Sequence, residues 1–500
     1  MQSKKVIVIG SGVAGLATAI RLAVQGFSVS VYEKNNCAGG KVAAFKKDNY
    51  SFDSGPSLFT QPENIEELFT LAGVSIEKYF AYQSLTTTCN YFYENGKKIT
   101  ACTDPVRFAA ELQEKVNEPE ANTLNYLKDA ERLYNDIGTI FLDHSLHKIK
   151  TWWHKRIIKA ISAIKYPYLF QSLHSYNNSK FLSPEAIQLF DRFATYNGSN
   201  PYQAPAMLSL IAHVEQNQGI FYPQGGMINI ANALYELAKL KGVHFYFNSP
   251  VQEILHDEGN VTGIMVDGKI IDADIVVSNA DIYFTYKNLL SDSLTAKKIL
   301  RQERSSSAVI FYWGIKKEFA QLQLHNIFFS SDYKKEFENI FYTKQISNDP
   351  TIYVNITSKM ESDHAPKGKE NWFVMVNAPA NIGQDWRQLK NELRKNVISK
   401  LSRLLGEDIE SLIETEHIVD PVIIEDQTTS YMGSLYGTSS NSKLAAFFRK
   451  PNFTNTIRGL YFCGGSVHPG GGIPLCLKSA KIVSALIEHD HSKKINSCQI

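Results

Sequence analysis

The apolar positions fall into short runs of strand length set far apart along the chain. The first, "KVIVI" at residues 5–9, is almost continuously apolar and predicts a short buried strand. Gly10-Ser11-Gly12-Val13-Ala14-Gly15 follows at once. An alanine- and leucine-rich helical pattern then runs from Leu16 to Gln25 and is closed by Gly26. "SVSVYE" predicts a second strand ending at Glu33. Further on, Gly225-Gly226-Met227 opens a helical pattern reaching about Leu240, and Gly242 precedes the strand-like "VHFYFN". From Val251 the pattern predicts short strands turning at Asp257–Asn260 and at Asp267-Gly268. "ADIVVSNAD", Ala273 to Asp281, predicts a buried strand and a polar turn. Leu460-Tyr461-Phe462 is the last such run. It opens into Gly464-Gly465, then Gly470-Gly471-Gly472, Ile473-Pro474 and a helix-like tail.

Strand, glycine turn, helix, strand is the setting that a G-x-G-x-x-G match needs to carry meaning. Gly10 permits the tight turn, Gly12 lets a pyrophosphate approach the backbone, and Gly15 lets helix and strand pack. The helix N-terminus at Val13-Ala14 faces the phosphate charge. Glu33, 18 residues past Gly15, is placed to accept hydrogen bonds from a ribose and disfavours a 2′-phosphate. The alternative is a glycine-rich turn without a ligand. A second G-x-G-x-x-G is absent from the sequence, which argues against a separate nicotinamide domain.

Gly39-Gly40-Lys41 and Asp53-Ser54-Gly55-Pro56-Ser57 extend the motif beyond a plain dinucleotide site. This stretch resembles the N-terminal signature of the FAD-dependent amine oxidase and phytoene desaturase superfamily. In that family the first segment packs along the diphosphate and the second lies beside the flavin ring. "YFCGGSVHPGGGIP" is similar to the C-terminal signature of bacterial carotenoid desaturases, and its His468-Pro469 is not expected in amine oxidases. "FDRFATYNGSNPY", from Phe190, fits the same branch, whose overall resemblance is strongest to hydroxycarotenoid 3,4-desaturases.

The resemblance implies an α/β fold: a Rossmann-like, discontinuous FAD-binding domain from residues 1–75, 215–285 and 415–500, and an α+β substrate-binding domain from 76–214 and 286–414. It implies FAD contacts from Gly10, Gly12, Val13, Ala14, Gly15, Glu33, Lys34, Gly40, Lys41, Gly55, Pro56, Ser57, Val251, Asn279, Gly464, Gly465, Gly472 and Ile473. Ser466 stands where amine oxidases often have an acid touching the ribityl chain, which puts that contact in question. Pro474 at a helix start has no N–H to lose. The helix behind it would aim its N-terminus at the reduced flavin.

An apolar carotenoid then calls for a long apolar tunnel, with hydride transfer to the flavin and loss of a proton. Catalysis becomes mainly placement. Glu215 is the residue expected to act on the proton if any does. For it, as for His213, Asp191, Arg192 and His468, a hydrogen-bonded structural role is the competing reading. A phytoene desaturase, a carotenoid cis–trans isomerase, an amine oxidase and a non-redox lipid-binding protein on the same fold are the other readings kept open. The intact phosphate turn and Glu33 oppose the last.

Composition changes this picture little. A net charge of +2 argues against nucleic acid held by bulk electrostatics. Six cysteines lack C-x-x-C or metal-like spacing, and no metal is expected. The N-terminal lysines and apolar run contain the phosphate turn itself, so they are read as fold rather than as a signal peptide. Reduced thiols and a cytoplasmic location are the matching expectation. No stretch reaches 18 uncharged apolar residues. Residues 144–184, however, hold seven Lys/Arg and no Asp/Glu, with Trp152, Trp153, Tyr166 and Tyr168 among them. That composition suits an anionic bilayer surface, or else an ordinary basic helix. The sequence is silent on oligomeric state.

Overall fold

Five short strands drawn from distant stretches form one parallel sheet in the order Leu460–Phe462, Ile275–Ser278, Lys5–Ile9, Ser28–Tyr32, His244–Tyr246. The computed structural model describes residues 3–148, 166–442 and 449–497. Ile9 lies opposite both Ser278 and Tyr32, and Ser278 lies opposite Phe462. The residues that follow these strands (Gly10, Asn279, Glu33, Cys463) therefore emerge along one edge, the carboxyl edge where open α/β sheets bind ligands.

One face of this sheet is covered by helix Val13–Val24, which packs with helices Ile228–Leu240 and Ile473–Ser497. Leu16, Ile20, Leu234, Leu237, Val483 and Ile487 are fully buried there. At roughly 1.5–3 kcal/mol for each large side chain removed from water, this cluster is a principal source of the body's stability. The other face lies under a three-stranded antiparallel sheet, Val251–Asp257, Asn260–Val266 and Lys269–Asp272, through Ile7, Ile254, Ile264, Val276, Leu460 and Phe462. The turn at Asp267-Gly268 has positive φ at both residues, as a two-residue hairpin requires.

A seven-stranded sheet forms the second body. Its order is Ile413–Val419, Ser307–Ile315, Glu370–Ala378, Ile352–Asn355, His325–Phe328, Thr87–Phe92, Lys98–Cys102, antiparallel except between His325–Phe328 and Thr87–Phe92. Side-chain alternation splits its faces. Val309, Phe311, Val354, Val374 and Val376 pack under helix Trp386–Leu405. Ala308, Ile310, Tyr312 and Phe373 face the opposite way, towards Tyr50 and Phe52 of the hairpin Ala43–Lys47/Tyr50–Ser54.

The expected domain limits do not coincide with element ends. Residue 215 falls within the turn His213–Asn217, and the limit at 414/415 cuts strand Ile413–Val419 of the seven-stranded sheet. The chain rejoins the parallel sheet only at Leu460. Strand pairing, which the one-dimensional pattern does not record, is the reason. Of the basic stretch 144–184, residues 149–165 lie outside the described residues.

Candidate functional site

The two glycine turns meet on one side chain. Asn279 follows the strand Ile275–Ser278 that separates them, its Oδ1 accepting from the Gly15 N–H at 3.1 Å and its Nδ2 donating to the Cys463 carbonyl at 3.2 Å. A Cβ on Gly12 would come within 2.8 Å of Asn279 Oδ1, and one on Gly464 within 2.5 Å of Nδ2. Both distances are too short, so glycine at 12 and at 464 is what lets the carboxamide tie the turns together. A Cβ on Gly15 would stand 2.1 Å from the Gly10 carbonyl oxygen, which gives Gly15 a packing role.

Beside this junction lies a cavity of about 970 Å³. Every expected contact residue lines it except Gly15. One part of the wall is polar backbone and charge. Helix Val13–Val24 starts there without a side-chain cap at Gly12, and helix Ile473–Ser497 starts there behind Gly472. Two helix N-termini at one cavity favour anionic groups. Gly472, at φ +106°, would project a Cβ that meets no protein atom within 4 Å, so open space lies over its backbone. Glu33 is buried, accepting from the Ser11 N–H at 2.7 Å and the Ser11 hydroxyl at 2.9 Å, and from the Asn35 N–H at 3.0 Å. Lys34 and Lys41 donate to the carbonyls of Asp426 and Leu435. Lys41 presents its side chain to the lumen but sits deep in the fold, and burial lowers its ammonium pKa. A glycine turn, a buried carboxylate after the second strand, two helix N-termini and cations around one lumen fit a flavin dinucleotide.

Sequence reading missed Arg449. It is buried at the cavity wall, donates to the carbonyls of Tyr436 at 3.0 Å and Gly465 at 3.4 Å, and lies against Gly470. Burial, with Arg304 nearby, pulls its pKa down to about 10. No motif surrounds it in "FFRKP", and only the fold brings it to the glycines. Asp53 was read as part of a flavin-side segment; its carboxylate also accepts from Met227 N–H at 3.0 Å, locking that segment to the Gly225-Gly226 turn. The Ser466 hydroxyl accepts from the Ile282 N–H at 3.0 Å.

The other part of the wall is apolar. Phe141, Leu142, Met207, Leu208 and Ile211 line it from helical segments, Leu146 from the turn after one of them, and Ile310, Ile327, Met375 and Val419 from the seven-stranded sheet. Glu215 borders this cavity but is fully engaged. Arg192 donates to its two oxygens at 2.8 and 2.9 Å, the Tyr196 hydroxyl bonds one of them, and Gln216 reaches the other at 3.2 Å. Although burial opposes the charge on Arg192, Glu215 carries its pKa well above the ordinary value. The carboxylate expected to act on the proton thus sits in a buried network with a guanidinium, a tyrosine and a glutamine. The competing candidates also sit in hydrogen bonds. Asp191 bonds His174 at 2.6 Å and Asn177 at 2.8 Å. His213 is held by Asn217 and Gln218. His468 donates from Nε2 to the His144 carbonyl at 2.9 Å.

One polar chain crosses the apolar wall. Ser57 Oγ and Tyr353 Oη are 2.9 Å apart, and Tyr353 Oη lies 2.8 Å from His325 Nδ1. Burial lowers His325 to about 3, so its imidazole is neutral. Among the described residues no group of three or more His, Cys, Asp or Glu could hold a metal ion, and no helix is long and apolar enough to cross a membrane.

Three comparisons bear on this geometry. The family model for flavin containing amine oxidoreductases matches residues 13–487. The chain is 49% identical over 490 residues, 98% of its length and 100% of the relative's, to a 1-hydroxycarotenoid 3,4-desaturase of Flavobacterium sp. (strain P99-3). It is 32% identical over 496 residues, 98% of this chain and 99% of the relative, to a 4,4'-diapolycopene oxygenase of Methylomonas sp.. Among solved structures, an oxidoreductase from Methanosarcina mazei superimposes with a TM-score of 0.65 at 17% identity, covering 97% of this chain and 100% of that one.

Proposed function

This chain belongs to the flavin containing amine oxidoreductase family, and from that premise we propose that it is an FAD-dependent carotenoid desaturase acting on the 3,4-bond of a hydroxylated acyclic or monocyclic carotenoid. The observation that carries the reading is a single cavity with a charged, glycine-lined part and an apolar part, in a chain half identical to a 1-hydroxycarotenoid 3,4-desaturase over its whole length.

FAD, when bound, supplies the two-electron acceptor for hydride removal from the substrate. The protein's residues do the rest. Gly12, Val13 and Ala14 present backbone to the diphosphate, Glu33 takes the ribose, and Lys41 and Arg449 offset negative charge. Gly464, Gly465, Gly472 and Ile473, with Gly55, Pro56 and Ser57, would border the ring. Val251 and Lys34 border the nucleotide end. The parallel-sheet body thus holds the cofactor, and the seven-stranded sheet with the flanking helices holds the polyene.

Ile310, Met375, Met207 and Ile211 keep water from the reacting carbons. Positive charge developing at an allylic carbon spreads along the conjugated chain, so the demand on the protein is alignment rather than a strong base. Glu215 keeps Arg192 and Tyr196 in the wall, and through them the shape of the tunnel.

Delivery is part of the same proposal. Phe141, Leu142 and Leu146 line the apolar part, and the basic, tryptophan-bearing stretch 144–184 begins among them. This juxtaposition supports a peripheral position on an anionic bilayer, from which a lipid-soluble substrate enters.

The test is co-expression with pathways that make hydroxylated and non-hydroxylated acyclic and monocyclic carotenoids. The expected outcome is one added conjugated double bond in the hydroxylated substrate, read as a red shift and a loss of two mass units. An unchanged spectrum across all substrates would overturn the reading. Isomerisation without mass change, or added oxygen, would replace it.

A further inference from the structure

We propose that the side-chain amide of Asn377, together with the hydroxyl of Tyr353, binds the hydroxyl group of the carotenoid and thereby sets which bond lies against the flavin. The inference rests on the desaturase reading above and deepens it.

Strand Glu370–Ala378 alternates. Trp372, Val374 and Val376 are buried under the helix, whereas Met375 and Asn377 are partly exposed and line the cavity. Asn377 lies opposite Ala308 on one neighbouring strand, and the Ile352–Val376 pairing places Thr351 on its other side. Ala308 offers no side-chain partner, and the Thr351 hydroxyl is spent on Glu336 at 2.7 Å. Among the described residues the Asn377 side chain has no hydrogen-bond partner. Asparagine is disfavoured in strands, and this amide opens on the cavity rather than on a neighbouring side chain. With Ile310 and Met375 adjacent, the Asn377 amide is available to whatever occupies the cavity.

Tyr353 lies directly opposite Met375 and so diagonal to Asn377, at a spacing of about 7–8 Å. Asn355 Nδ2 donates to His325 Nδ1 at 3.2 Å, which makes that nitrogen an acceptor. The Tyr353 O–H therefore donates to it, the Ser57 hydroxyl donates to the Tyr353 oxygen, and that oxygen keeps one further accepting site. An alcohol both donates and accepts. Asn377 Nδ2 donating to it and Tyr353 Oη accepting from it satisfy both demands.

Position agrees with chemistry. In a 1-hydroxy substrate desaturated at carbons 3 and 4, three single bonds separate the oxygen from carbon 3, roughly 4 Å. The group that holds the oxygen must then stand beside the ring. Tyr353 is bonded to Ser57, in the segment proposed above to border that ring.

The test uses purified holoenzyme offered a 1-hydroxylated carotenoid and its non-hydroxylated counterpart in liposomes. Wild type, Asn377→Leu, Asn377→Ala and Tyr353→Phe are compared by kcat/KM for each substrate, with flavin absorbance and thermal melting as controls. Wild type should favour the hydroxylated substrate. The Asn377 variants should keep their flavin and lose that preference by on the order of 100-fold, with turnover of the non-hydroxylated carotenoid little changed. Tyr353→Phe should lose a smaller part. Retained preference in both Asn377 variants would overturn the inference, as would loss of flavin in both, since Asn377 would then belong to the cofactor wall. Equal use of both substrates by wild type would overturn it while leaving the desaturase reading intact. Action on neither would remove the reading and the inference together.

Discussion

Asn279 joins Gly15 to the far end of the chain. Its Oδ1 caps the Gly15 N–H at 3.1 Å while its Nδ2 holds the Cys463 carbonyl at 3.2 Å, so two turns more than 440 residues apart share one carboxamide. Replacement by leucine leaves a helix-terminal N–H and a strand-end carbonyl without that partner, at about 1–3 kcal/mol each. Asn279→Leu should purify with less than half the flavin of wild type at equal protein. Spectrophotometry of the 450 nm band checks this, and full flavin content would refute it.

Gly464→Ala tests the same junction from the other side. Its φ of +105° and a Cβ 2.5 Å from Asn279 Nδ2 both oppose alanine. The variant should lose about 2 kcal/mol or more of stability in denaturant titration, from backbone strain combined with the displaced carboxamide.

Glu215→Gln separates positioning from proton transfer. Removing one charge from the buried pair with Arg192 should destabilise the protein by about 3–5 kcal/mol. The folded fraction should keep kcat within about tenfold, whereas loss of a true general base costs on the order of 100-fold or more. A large fall in kcat with unchanged melting would favour the catalytic assignment.

Acid should weaken the fold through His468. Burial first, with His147 and Arg449 nearby, lowers its pKa from about 6.5 to about 4 against the raising effect of the His144 carbonyl. The folded state therefore prefers the neutral ring. The associated stability is fully present above pH 6.5 and is lost as pH falls towards 4, up to about 3 kcal/mol by linkage. His468→Gln should flatten the decline between pH 6.5 and 4 in chemical denaturation. An identical slope in the variant would count against this account.

Binding to membranes is checked by flotation. Liposomes with about one third anionic lipid should carry the protein upward, and salt of about 1 M should release it, because surface attraction of this kind is screened. Equal recovery in the soluble fraction with and without anionic lipid would remove the peripheral reading.

The strands of the parallel sheet, its glycine turns and the final Leu460–Phe462 strand were legible in the sequence because each rests on a local rule. A buried strand reads as an apolar run, a phosphate turn as glycines at fixed spacing, and a helix start as a glycine followed by Ile473-Pro474. Ile228–Leu240 and the hairpins after Val251 were legible for the same reason. What the sequence did not contain is pairing at a distance. Strand Ile413–Val419 belongs to the second sheet because of Ser307–Ile315, not because of its own composition. Arg449 becomes a cavity residue only when Gly465 and Gly470 are folded against it. Glu215 was visible as an acid, but its partners, Arg192 23 residues away and Tyr196, come together only in the fold. Asn377 is one of three polar letters in its strand, with Glu370 and Asn371, until register sets it over the cavity near Tyr353. Local steric rules therefore determined the elements and the cofactor turns. Tertiary structure alone decided which polar groups are satisfied and which remain free to bind, since that depends on what each side chain meets across the fold.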